Sequence, residues 1–319
     1  MNDTFARFRA NRIDKETRDR VRETAIDIRD FIWPAFVIDG TNRSEPVSAM
    51  PGVSRMSADR LIEALEPLIA AGLESVLLFG IPSRKGVDEA WNPNGAIQRA
   101  IPLVARAYPR LKIITDVCLC SYTDDGHCHV GDNDETCRLL ARVARSHAES
   151  GAHIVAPSAM MDGQVLFIKE ELDRAGLGKV PIMSYAAKYA SHFYGPFRDA
   201  AACAPRHGDR RGYQMDPGNS DEALEEIASD LDQGAGSIII KPALSYLDIV
   251  RRARDRFPCD LVAYNVSGEY RMLTDAIAAG YARRSIIPES LLSMKRAGAD
   301  KIISYFVPEL VKGGFSHDE

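Results

Sequence analysis

The chain has no excess of basic charge. Forty basic against 45 acidic residues give a net charge of -5, so nucleic acids and anionic membranes are not expected as partners. It also lacks an apolar run approaching the roughly 20 residues that cross a bilayer. The charged start, MNDTFARFRANRIDKETRDRVRE, has no signal-peptide core, which makes a cytoplasmic setting the expectation. Cysteine is scarce, with six in 319 residues. That is too few, and too uneven, for a disulfide scaffold, and in a reducing compartment the thiols stay free. No Gly-, Ser- or Pro-rich linker divides the sequence. No G-x-G-x-x-G follows the first apolar run, which leaves a dinucleotide-binding sheet without support.

What the sequence does have is an alternation. Short β-branched and apolar runs occur at Phe31–Val37, Ser75–Gly80, Lys112–Leu119, Ile154–Ser158, Pro181–Tyr185, Ser237–Pro242, Leu261–Val266 and Lys301–Phe306. Helical spacing of apolar residues fills most of the gaps, at Ser57–Ala71, Asp134–Ser150, Gly163–Ala175, Asn219–Gln233, Tyr246–Arg256 and Pro288–Ala297. Ser57 and Asn219 read as N-caps, and Gly72, Gly151, Gly234 and Gly298 lie just past helix ends. Eight buried-type strands alternating with helices predict an α/β fold, a (β/α)8 TIM barrel over residues 29–319, with an open doubly wound sheet as the alternative. Residues 1–28 read as an N-terminal arm that contacts another subunit, or else as a solvated helix.

In a barrel of this kind the chemistry gathers at the C-terminal ends of the strands. Asp116 and Cys118 end the third run, Lys188 follows the fifth, Lys241 closes the sixth, Ser267 follows the seventh and Tyr305 lies in the eighth. Two lysines at one barrel mouth lower each other's pKa, as does burial, and a neutral amine is a nucleophile able to form a Schiff base. Cys118, Cys120 and Cys128 stand at C-x-C-x7-C on a strand end and the loop after it. Three thiolates with one open position are a catalytic zinc pattern. Beside them His127 reads as a further ligand or as a residue orienting the ligands, while Cys137, Cys203 and Cys259 read as small structural hydrophobes. Arg198, Arg210, Arg211 and Gln214 lie in a Gly/Pro/Asp-rich stretch with the character of a lid, and guanidinium forks suit a carboxylate. Together these predict a substrate with a ketone at one end and a carboxylate at the other.

Beyond these readings, the chain resembles the 5-aminolevulinate dehydratase (porphobilinogen synthase) family from about Phe31 to Phe306. The resemblance is carried by MPGVSRMS (Met50–Ser57), LFGIP (Leu78–Pro82), DVCLC (Asp116–Cys120), GHC (Gly126–Cys128) and VAPSAMMDG (Val155–Gly163). It continues in SYAAKYASHFYGPFRDA (Ser184–Ala200), GDRRGYQMDP (Gly208–Pro217), KPALSYLDI (Lys241–Ile249) and AYNVSGEY (Ala263–Tyr270). The resemblance implies a cytosolic hydro-lyase of tetrapyrrole and heme synthesis that condenses two 5-aminolevulinate molecules into porphobilinogen with loss of two waters.

By the same resemblance, Lys241 captures the first substrate, with Ser267 and Tyr305 on its carboxylate. Lys188 is the second Schiff-base lysine, with Arg198, Arg210 and Gln214 around the other carboxylate, and Asp116 lies close to it. Arg210 is preferred to Arg211 because it completes GDR. Cys118, Cys120 and Cys128 match zinc ligands, Glu226 matches the ligand of an activating magnesium, and the arm implies a homo-octamer. Ser121, Asp124 and Asp125 depart from the zinc-type loop pattern. Two rival readings remain: a class I aldolase, which needs one lysine, and a zinc-storing module, which needs neither lysine nor the arginines.

Overall fold

The computed structural model describes residues 5–316. Eight strands form the frame: β1 (Phe31–Ile38), β2 (Ser75–Ile81), β3 (Lys112–Val117), β4 (Ile154–Pro157), β5 (Met183–Lys188), β6 (Ser237–Lys241), β7 (Asp260–Asn265) and β8 (Lys301–Ser304). They hydrogen-bond in parallel in the order β4-β3-β2-β1-β8-β7-β6-β5. A parallel bridge between Val155 and Ile182 joins β4 to the approach of β5, which closes the sheet into a barrel. A closed parallel sheet buries both faces, so its strands must be apolar on both; β1, FIWPAFVI, is buried at every position.

Helices alternate with the strands as the periodicity predicts. Ala58–Ala70 turns Leu61, Leu65 and Leu68 inward at helical spacing, and Asn133–Glu149 buries Leu140, Val143, Ala144 and His147. Gly72 (φ +104°) and Gly298 (φ +124°) end helices in the left-handed region that favours glycine.

Two helices without a clear sequence signal are also present. Ala96–Ala107 carries Pro102 in its interior, and a proline there reads as a breaker because it cannot donate to the carbonyl one turn earlier. Ser267–Ala278 starts directly on the residue after the seventh apolar run, leaving no loop to mark its start.

Some boundaries shift. Asn219 is not an N-cap; Ser220 occupies that position before Asp221–Asp232. Ser57 does precede Ala58–Ala70, but its Oγ donates to Asp59 Oδ1 (2.6 Å) instead of accepting from the helix N-terminus. β3 stops at Val117 and β8 at Ser304, so Cys118 and Tyr305 are the first residues beyond their strands.

Before the barrel, a short helix, Lys15–Val21, is capped by Asp14 Oδ1, which accepts from Thr17 N (2.8 Å). Phe5, Phe8, Ile13 and Val21 are exposed along this segment. Residues 1–4 of the arm expected at 1–28 lie outside the described residues.

Candidate active site

The site begins with a strand irregularity. Ser184 pairs with Ile238, but Ala187 pairs with Ile240, so β5 carries one extra residue against β6. Such a bulge re-aims the side chains that follow it. Its consequence is that Lys188 and Lys241 become register partners at the ends of adjacent strands, which lie roughly 4.8 Å apart. Lys188 is therefore the last residue of β5, not part of the loop after it.

Both lysines are buried, each 4% exposed, and both flank the ring of Tyr185, with Nζ to centroid distances of 5.7 Å for Lys188 and 5.1 Å for Lys241. Lys241 Nζ also lies 4.2 Å from the Tyr264 ring, 4.9 Å from Phe197 and 5.3 Å from Tyr194. Aromatic faces attract a cation, whereas burial and a second ammonium oppose it. Here opposition wins: burial first, then Lys188, push Lys241 down to about 7, with Asp116 pulling the other way. Asp116 is held above the usual carboxylate range by burial, partly offset by Lys188 and Lys241. Lys188 Nζ donates to the carbonyl of Ser158.

A pH dependence follows from Lys241. For a base lowered to about 7, the neutral fraction rises through that pH and then levels off. The initial rate of borohydride trapping at Lys241 should gain about tenfold between about pH 6 and about pH 8, then flatten. A rate still climbing about tenfold per pH unit above about pH 8 would mean an ordinary lysine instead.

Around the lysines several buried polar atoms have no partner: Asp116 Oδ1, Tyr185 Oη, Arg198 Nε, Arg210 Nε and both side-chain polar atoms of Gln214. Buried polar groups are normally paired, and an unpaired one costs roughly 1–3 kcal/mol. The donors among them, Tyr185 Oη, Arg198 Nε, Arg210 Nε and Gln214 Nε2, are what a ligand's carboxylate would satisfy, whereas Asp116 Oδ1 and Gln214 Oε1 call for a donor such as an amine. Arg210 is 5% exposed, whereas Arg211 faces solvent beside Asp209.

A lid running from Tyr189 to Met215 covers the mouth. Its base is pinned by Ala190 N to Met215 O (2.8 Å) and Met215 N to Lys188 O (3.1 Å). Arg210 Nη2 donates to Gly126 O and Cys203 O, both at 2.8 Å, and Lys85 Nζ donates to Ser121 O (2.6 Å) and Ala202 O (2.8 Å). The lid thus lies directly on the cysteine loop. Gly126 (φ +75°) allows this approach, since a Cβ there would sit 2.5 Å from Ala204 O.

Within that loop Cys118, Cys120 and Cys128 are all buried, with their sulfurs within 4.8 Å of one another, the single such group among the described residues. Three convergent soft donors fit a metal ion. His127 is not part of the group. Its Nε2 lies 3.0 Å from His207 O and so acts as donor, which leaves Nδ1 to accept from Tyr213 Oη at 3.1 Å. Asp125 Oδ1 accepts from His127 N (2.9 Å) and shapes the turn.

Cys203 corrects its sequence reading. It is buried, but it is no isolated hydrophobe: its thiol stands beside Cys120 and Arg210, so this loop region holds a fourth sulfur. Its place on the lid, far along the chain from the C-x-C, hid this.

Ser267 Oγ accepts from Phe197 N (2.9 Å) and donates to Phe193 O (3.3 Å), binding the start of the lid. Tyr305 Oη lies 3.1 Å from Tyr264 Oη. Glu226 is remote from the lysines, in a cleft of 390 Å³ with Asp162, Glu222 and Asp230, and burial followed by these acids pushes it up to about 7. Tyr185, Tyr194, Phe197 and Tyr264 carry no sequence mark of a site, because aromatic residues on strands and short helices look like core.

Comparison with known proteins agrees over almost the whole length. A family model described as delta-aminolevulinic acid dehydratase matches residues 5–313. The delta-aminolevulinic acid dehydratase of Methanothermus sociabilis is 48% identical over 319 aligned residues, covering 98% of this chain and 99% of that protein. That of Bacillus subtilis (strain 168) is 47% identical, covering 98% and 99%. Among solved structures, delta-aminolevulinic acid dehydratase (porphobilinogen synthase) from Toxoplasma gondii ME49, in complex with the reaction product porphobilinogen, superposes with a TM-score of 0.94 at 39% identity, covering 97% of this chain and 92% of that one.

Proposed function

The chain belongs to the delta-aminolevulinic acid dehydratase family, and from that premise we propose how its own residues carry out the condensation of two 5-aminolevulinate molecules into porphobilinogen and two waters. The observation that carries the proposal is the register pairing of Lys188 with Lys241 beneath a closed lid. Neutral Lys241 attacks the ketone of the first substrate, and water leaves as the imine forms. Lys188 holds the second substrate in the same way. An imine makes the neighbouring C–H acidic, so that carbon of one substrate attacks the imine carbon of the other, while an amino nitrogen attacks the remaining imine carbon. Each attack ends with a lysine expelled as free amine, so two molecules held side by side are joined and the two waters are those lost as the imines formed. Asp116, buried and linked by charge to both amines, exchanges the protons. Arg198, Arg210 and Gln214 take the second carboxylate, and Ser267 with Tyr305 the first.

Cys118, Cys120 and Cys128 would hold zinc, the soft sulfur set favouring it. When bound, zinc supplies Lewis acidity at its open coordination position. The reading as a hydro-lyase is tested by incubating the protein with 5-aminolevulinate; no porphobilinogen under any metal condition would remove it.

Glu226 and its acidic neighbours suit a hydrated magnesium ion. Added magnesium should raise turnover of the parent protein several-fold and leave Glu226→Ala unaffected, and equal stimulation of both would remove the site. The exposed Phe5, Phe8, Ile13 and Val21 support an arm that packs on another subunit of a homo-oligomer, an octamer in our reading. Among the described residues no helix is long and apolar enough to cross a membrane, and the free thiols suit a cytoplasmic setting.

A further inference from the structure

Glu269 is 1% exposed, yet among the described residues no lysine or arginine pairs with it. Its carboxylate accepts from neutral donors: Leu244 N at 2.8 Å on Oε1, and Val266 N at 3.0 Å with Asn265 Nδ2 at 3.1 Å on Oε2. The chain of bonds does not stop there. Asn265 Oδ1 accepts from Ser304 Oγ (2.9 Å), and Ser304 Oγ accepts from Phe306 N (3.1 Å). Asn265 and Ser304 are both fully buried.

This chain reaches the C-terminal ends of three adjacent strands, β6, β7 and β8, at the barrel mouth. Leu244 lies three residues after Lys241, Val266 directly precedes Ser267, and Ser304 and Phe306 flank Tyr305. Between Ser267 and Glu269, Gly268 lets the backbone of Phe193 come close, since a Cβ there would sit 2.5 Å from Phe193 O. A buried unpaired carboxylate is expensive and persists only where donors over-determine it.

We infer that Glu269 is a positioning residue: one buried carboxylate, acting through Asn265 and Ser304, fixes the C-terminal ends of β6, β7 and β8, where Lys241, Ser267 and Tyr305 stand. It touches no substrate. The inference rests on the reading above that these three residues receive the first substrate.

An amide cannot replace the carboxylate. In Glu269→Gln the side chain would keep one acceptor oxygen and turn N–H donors against N–H donors on the other side, so at least one loop would be released. For Glu269→Gln we expect KM for 5-aminolevulinate to rise about tenfold, the cost of one lost charge-assisted hydrogen bond. The borohydride adduct at Lys241 should fall in parallel at low substrate, while zinc stoichiometry stays unchanged, because the cysteines hang on other strands. Ser304→Ala, at the far end of the chain, should raise KM about threefold. A merely structural role would lower kcat with the folded fraction and leave KM alone. Parent-like KM and adduct yield in folded Glu269→Gln and Ser304→Ala overturn the inference; if Glu269→Gln does not fold, Ser304→Ala decides by the same readout. Absence of a Lys241 adduct in the parent protein is a different result, and overturns the underlying reading of the reaction instead.

Discussion

Lys241→Ala is expected to lower porphobilinogen formation by about 10⁵-fold, the scale seen when a covalent nucleophile is removed. Borohydride in the presence of 5-aminolevulinate should then leave no adduct at that position by peptide mass analysis. Lys188→Ala should lose turnover to a similar degree, yet keep the adduct at Lys241, because the first capture precedes the second. It should also change the pH response. Lys188 is the second cause, after burial, of the low Lys241 pKa of about 7. Removing it takes away a like charge, and the midpoint for trapping should move upward. A one-lysine enzyme behaves otherwise: one variant loses all trapping and the other retains full turnover. That pattern would replace the two-amine reading by an aldolase-like one.

Complete zinc removal is expected to cost about 10³-fold in turnover, corresponding to the several kcal/mol a Lewis acid contributes. Zinc should restore it and magnesium alone should not, because Cys118, Cys120 and Cys128 offer only soft sulfur. Replacing any of the three by alanine should lower zinc retention in a competition titration. Cys203→Ser separates ligand from neighbour. Cys203 lies beside Cys120 but is not within the mutually close group of three, so its loss should leave zinc stoichiometry intact. Full activity after verified zinc removal would withdraw the metal assignment.

These expectations draw unequally on sequence and structure. The strand–helix alternation needs only local pattern, since a barrel strand buried on both faces has no polar alternation to confuse it. Cys118, Cys120 and Cys128 lie within one strand end and its loop, so their convergence was legible from spacing. Arg210 and Arg211 were not separable that way, because adjacent lid residues differ only in which one the lid turns inward. Cys203 and the Glu269–Asn265–Ser304 chain escaped for a related reason: their partners are distant along the sequence, and a lone buried Cys or Glu carries no mark of what it will meet.

By itself, then, the sequence determined the barrel and singled out Lys188, Lys241 and the three cysteines Cys118, Cys120 and Cys128, because periodicity and residue chemistry are local properties of the chain. Only the tertiary structure decided that a single bulge in β5 brings Lys188 level with Lys241. It also decided that the lid rests on the cysteine loop through Arg210 and Lys85. Both are matters of register and closure between segments far apart in sequence, set by how the strands pack against one another and not by any one of them.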